Sequence, residues 1–171
     1  MDTFVEQIVL KKKDAKQITV MVCAAILAAA LVGVVIFFAP LLYIFVPILL
    51  FGIGYGLWWV LTSQNVEYEY CITNGDVDID QIVARSRRKR IVSVNGKKIE
   101  SAGKYDPAAW QNRQIDRFVM AAPSEQADGL RYFTYRSKKR GFTLVVFQPD
   151  ERVAEAFYKF LPRLVQMDWD K

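Results

Sequence analysis

Residues 18–61 read ITVMVCAAILAAALVGVVIFFAPLLYIFVPILLFGIGYGLWWVL, the core of an uncharged run that extends from Gln17 to Val66. A helix rises ~1.5 Å per residue and a bilayer core of ~30 Å takes ~20 residues, so this run is too long for one crossing and about right for two. It predicts a transmembrane hairpin within residues 17–63, with spans at 18–38 and 41–61 and a sharp turn at Ala39–Pro40. A cleaved signal peptide is the rival for the first span. Its apolar stretch exceeds the usual ~7–15-residue h-region, and a second span follows with no convincing cleavage site.

Outside the hairpin lie a basic N-terminal segment, residues 1–16, and residues 64–171, enough chain to bury a core of its own. Net charge is +5, and both flanks share it. Lys11, Lys12, Lys13 and Lys16 precede the first span, while the turn between the spans carries no charge. The positive-inside rule then puts both termini in the cytoplasm, on the inner membrane of a cell, with Trp58 and Trp59 as interfacial anchors. Two cysteines, Cys23 and Cys71, sit in different segments, and no disulfide is expected in a reducing compartment. The chain has no histidine, which removes His-based acid–base chemistry and the common His-ligated zinc sites.

Phe4, Val5, Ile8 and Val9 fall at helical spacing, so the N-terminal segment reads either as an interfacial amphipathic helix or as an extension of the first span. Within the hairpin, Ala25, Ala29 and Gly33 recur every fourth residue, and Gly52 and Gly56 form a GxxxG. Small residues at matching depth let backbones approach in lipid. The expected role is packing between the two spans, with a dimerisation face as the alternative.

After Leu61 the period changes to two. Val66, Tyr68, Tyr70 and Ile72 alternate with polar neighbours up to Asn74-Gly75, and Val77 and Ile79 alternate with Asp76, Asp78 and Asp80. Asn-Gly is the strongest two-residue hairpin signal. It sets Ile72 against Val77 and Tyr70 against Ile79 on one face. Further strands are expected at 88–94, 97–101, 115–121, 130–136 and 142–147, with a second Asn95-Gly96 turn joining the first two and loops at 105–114 and 122–129. A C-terminal helix is expected with Pro149 at its first position, kinked or ended near Leu161 by Pro162. The fold class is an α+β membrane protein, a transmembrane α-hairpin followed by an antiparallel pleckstrin-homology-like (PH-like) barrel that the last helix closes.

The loudest polar feature is Arg85, Arg87, Arg88, Lys89 and Arg90, with Lys138, Lys139 and Arg140 in a second run. Near a bilayer such residues bind anionic headgroups at ~1 kcal/mol each. A structural role competes. Glu69 and Asp80 would face each other across the first hairpin, a repulsive pair that cations on the next strand would neutralise. A protein partner is the third reading. No nucleic-acid motif accompanies the charges. Asp76, Asp78 and Asp80 lack the glycine and glutamate of an EF-hand loop and are expected to form a solvated face. No catalytic residue, metal site or cofactor is expected.

The basic start, the tight hairpin, the stretch VEYEYCITNGDVDID at 66–80 and the basic run at 85–90 together resemble a group of small bacterial membrane proteins. Residues 68–90 also resemble the opening strands of bacterial PH-like domains that follow membrane hairpins. The resemblance implies a cytoplasm-facing domain with no catalytic residues to carry over. The function expected is a non-enzymatic, membrane-anchored module for anionic lipid or a protein partner. The alternative is an accessory subunit that contacts a multi-span complex or transporter through its hairpin.

Overall fold

Residues 4–10 form a strand. In the computed structural model, which describes residues 3–169, β1 (Phe4–Leu10) pairs antiparallel with β2 (Val66–Thr73). Val5 lies across from Ile72 and Leu10 from Glu67. Neither helical expectation for this segment holds. Its apolar residues fit both periods, but Phe, Val and Ile favour strands, and β2 supplies a full row of backbone partners. Two side-chain ties fix β1 further. The Gln7 amide donates to the Gln148 carbonyl at 3.1 Å and accepts from the Asp150 N–H at 2.7 Å. Thr3 N–H donates to the Asn74 side chain at 2.9 Å, and Asn74 N–H donates back to the Thr3 carbonyl at 3.0 Å.

The chain divides into two units, residues 12–66 and residues 1–11 with 67–171. A domain drawn from residue 64 onward therefore omits its own first strand.

The helical unit contains α1 (Ala15–Phe37), a short α2 (Ala39–Leu42) and α3 (Val46–Ser63). The turn is broader than expected because α2 occupies it. Met21, Ala24, Ala28, Val32 and Val35 make the shielded stripe of α1, and Val46, Ile53, Leu57 and Val60 that of α3. Packing through Ala25, Ala29, Gly33, Gly52 and Gly56 is not what forms. All five are exposed, and a methyl added at Gly33, Gly52 or Gly56 would meet nothing within 4 Å. Depth matching assumed a turn at Ala39–Pro40. The longer turn moves α3 along α1, and one position around a helix is ~100°.

In the other unit, β2 turns at Asn74 (φ 49°) and Gly75 (φ 92°) into β3 (Asp76–Val83). A second turn leads to β4 (Arg87–Asn95), completing a sheet of order β1-β2-β3-β4. Asn95-Gly96 is not a hairpin loop. It opens a 3₁₀ turn, Gly96–Lys98, that carries the chain into β5 (Ile99–Lys104) of a second sheet. Gly96 is required there: its N–H donates to the Gly75 carbonyl at 2.7 Å, and a Cβ would lie 2.9 Å from the Phe160 carbonyl oxygen.

The second sheet also holds β6 (Arg117–Ala121), β7 (Arg131–Ser137) and β8 (Gly141–Phe147), in order β5-β7-β8-β6, with β6 parallel to β8. The expected wholly antiparallel closed barrel is thus replaced by two four-stranded sheets. Register shifts in β3–β4 and β5–β7 bend the strands where a barrel would close.

Tyr70, Ile72, Ile79 and Val92 from the first sheet bury against Phe133, Val145 and Phe147 from the second and Val153 and Phe157 of α4 (Glu151–Phe160). The Phe147 ring meets Tyr70 edge-on at 5.7 Å and Phe157 at 5.3 Å. The Tyr70 hydroxyl donates to the Ala121 carbonyl and accepts from the Gln148 N–H, and burial raises its pKa. The other face of β8 is covered by Trp110, Ala122 and Leu130. Burial on both faces explains why 142–147 is apolar without alternation. Asp150 caps α4 by accepting from the Val153 N–H at 2.8 Å, so Pro149 precedes the helix. Pro162 starts α5 (Arg163–Gln166).

Candidate functional site

The charged outer face of the first sheet depends on one irregularity. Along β4, Val94 pairs with Val77 and Val92 with Ile79, but Arg90 pairs with Asp80 and Arg88 with Ile82. The shift after Ile79 inserts Ile91 as an extra residue. Side chains of a regular strand alternate, so without the bulge Arg88 and Arg90 would share the core face of Val92 and Val94. With it, both arginines stand on the face of the acidic residues.

Arg88 spans two strands, with Nη2 2.5 Å from Glu69 Oε1 and Nε 2.7 Å from Asp80 Oδ2. Arg90 donates from Nε to Asp80 Oδ1 at 2.9 Å, and its Nη1 lies 2.9 Å from Asp78 Oδ2. Glu69 and Asp80 are only 6% and 4% exposed, because the guanidinium groups cover them. The expected solvated face is corrected at Asp80: this carboxylate is buried beneath two cations. Burial pushes the Asp80 pKa up, but hydrogen bonds from Arg90 and Arg88 more than offset it and the net direction is down. At Glu69 burial raises the pKa, Arg88 pulls it down, and the nearby Glu6 carboxylate adds to the rise, so the net direction is up. Both arginines are held more firmly protonated, chiefly by their hydrogen bonds to Asp80.

The residues of the first basic run therefore separate. Arg88 and Arg90 are occupied by the acidic ladder. Arg85 reaches Glu67 at 3.3 Å from a largely exposed position, in a turn where Ala84 and Arg85 both adopt positive φ, 54° and 55°. Arg87 and Lys89 are exposed on β4. Lys138, Lys139 and Arg140 lie exposed in the β7–β8 turn, which Gly141 closes at φ 64°.

The β7–β8 turn approaches β4 at the bulge. Arg140 Nη1 donates to the Ile91 carbonyl at 3.3 Å, and Arg117 Nη2 from β6 donates to the same oxygen at 3.0 Å. Side-chain donors thus bridge the seam between the sheets. Arg117 gives no warning in the sequence, because a lone arginine at a strand start carries no signal. A pocket of about 230 Å³ opens beside this carbonyl, lined by Arg90, Ser93, Tyr135, Ser137, Lys139 and Arg140 among others. Among the described residues, no group of His, Cys, Asp and Glu is arranged to hold a metal ion.

Two facing sheets with a C-terminal amphipathic helix packed into their shared core define a PH-like domain, a class that generally serves interaction and not catalysis. The chain matches the family model described as Bacterial PH-like domain (DUF6106) over residues 1–167, and it belongs to that family. No curated protein and no solved structure matches it.

Proposed function

We propose that the chain is a non-enzymatic, membrane-anchored interaction module. In this reading α1 and α3 cross the inner membrane, and the PH-like domain works at its cytoplasmic face on anionic lipid or a protein partner. The observation that carries it is the β1–β2 pairing. A sheet cannot be divided by a bilayer, so flanks paired in one sheet belong on one side, as two crossings require. The lengths agree: at ~1.5 Å per residue, 23 and 18 residues give ~34 and ~27 Å against a ~30 Å core. Large apolar side chains along both helices are exposed, among them Ile26, Leu27, Ile48, Phe51 and Trp58. Water does not tolerate so much apolar surface on a monomer. The lysines before α1 favour the cytoplasmic side. For docking, Arg87, Lys89 and Lys138–Arg140 are the cations of the two basic runs that are exposed and lack a carboxylate partner among the described residues, whereas Arg88 and Arg90 are already neutralised.

Reporters fused to the two ends of the full chain test the topology. Both should be active in the cytoplasm, and reporters on opposite sides overturn the reading.

One observation favours the accessory-subunit reading. A groove of about 530 Å³ between α1 and α3 is lined by Leu27, Ala28, Gly52, Gly56 and Trp59 among others, and its two glycines have nothing against them. A partner helix fits such a surface. In that case Gly52→Leu with Gly56→Leu abolishes co-purification of a membrane partner from mild detergent, and unchanged recovery argues against it.

A further inference from the structure

We propose that the seam around the Ile91 carbonyl is a binding site for a phosphate group. Two guanidinium groups, Arg117 and Arg140, converge on this single neutral acceptor. Arg117 Nη1 is buried and has no hydrogen-bond partner. Neither arginine has a carboxylate partner among the described residues. Like charges gathered at one point repel, and an orphaned buried donor is costly. Arg117 is not in the lining of the adjoining pocket, so an anion held there meets Arg140 directly and offsets the charge of Arg117 across the shared carbonyl.

The adjoining pocket supplies the rest of such a site. Lys139 adds a third uncommitted cation, Ser93 and Ser137 bring hydroxyls, and no aspartate or glutamate is among its lining residues. Arg90 also lines it, but its charge is answered by Asp78 and Asp80. Planar guanidinium forks suit the tetrahedral oxygens of phosphate, which they bind in bidentate fashion. At about 230 Å³ the pocket falls below the ~300–1,000 Å³ that encloses a whole small molecule. It therefore suits free phosphate or the phosphate end of a larger molecule. The irregularity in β4 that turns Arg88 and Arg90 onto the acidic ladder also places Ile91 at this seam, so one bulge serves both arrangements.

The inference deepens the proposed function by naming a ligand chemistry at one place, but it does not require the helices to lie in a bilayer. Its test is accordingly run on the full chain in neutral detergent. Thermal-shift and calorimetric titrations use inorganic phosphate in one arm and dihexanoyl phosphatidic acid in the other, with dihexanoyl phosphatidylcholine as the neutral control at matched ionic strength. At least one phosphate arm should saturate, and Arg140→Gln should weaken it about tenfold. Lys139→Gln should weaken it as well while the unliganded midpoint stays close to wild type, and Lys98→Gln should leave binding unchanged. Preference for inorganic phosphate assigns a soluble source, and preference for phosphatidic acid assigns a lipid headgroup. Absence of binding in both arms, or equal affinity in wild type and Arg140→Gln, overturns the proposal and leaves the topology untouched.

Discussion

The chain carries two basic runs of similar composition, and the fold treats them in opposite ways. Residues 85–90 run into β4, where Arg88 and Arg90 lie across buried Glu69 and Asp80. Residues 138–140 form a hairpin turn with no carboxylate partner among the described residues, and Arg140 reaches the Ile91 carbonyl. What a cation contributes is thus set by the strand beside it. Where it faces an acidic ladder it completes the fold, and where it faces a carbonyl and two serines its charge has no acidic partner among the described residues.

The contrast is broken most severely at Arg88. Arg88→Ala leaves shielded Glu69 without its cation and Asp80 with Arg90 alone, so the melting temperature of the full chain should fall further than for any other single cation. Arg87→Ala, one residue away and exposed, is its control. Equal effects would mean that the ladder carries no stability.

Asp80→Asn comes next, at about 1–3 kcal/mol near neutral pH from the loss of charge-assisted hydrogen bonds. Its pH dependence has a definite sign. The folded pKa of Asp80 is depressed below the ordinary 3.8. The stabilisation is therefore complete above about pH 4 and is lost as pH falls through the folded value. Urea midpoints of wild type and Asp80→Asn should converge below pH 4, and a constant gap contradicts the ion pairing. Glu69 has the opposite sign. Its pKa is raised above 4.5, so its ionised form disfavours the fold and protonation on acidification favours it. Glu69→Gln should therefore be milder than Asp80→Asn at pH 7.

The smallest effect belongs to the second run. Lys139→Ala should change stability by no more than ~0.5 kcal/mol, and a loss comparable to that of Asp80→Asn would erase the distinction between the runs.

Much of this was legible in the residues, and the failures are local. Asn74-Gly75 announced its turn because both positions require positive φ. The next turn was silent, since Ala84 and Arg85 take positive φ with residues that give no such warning. Opposition of Glu69 and Asp80 already called for cations on the third strand. The bulge that delivers them at Ile91 leaves no mark, because RRKRIVSV offers no glycine and its parity is broken only by pairing with β3. β1 was missed because seven residues fit either period, and its deciding partner lies more than fifty positions away. The two-sheet arrangement also escaped, because Asn95-Gly96 announces a turn without saying into which sheet the chain goes.

The N-terminal strand is stitched to the strand that follows the helices, and everything proposed for the topology depends on that pairing. Glu6 lies directly across from the native Cys71, and paired antiparallel strands hold Cα atoms ~4.5–5.5 Å apart, within disulfide range. In full chain carrying Cys23→Ala, Glu6→Cys should form an intramolecular cross-link to Cys71 under mild oxidation or with a short bis-maleimide, while Lys16→Cys should not. Failure of Glu6→Cys to link under both reagents, or equal linking by Lys16→Cys, would contradict it.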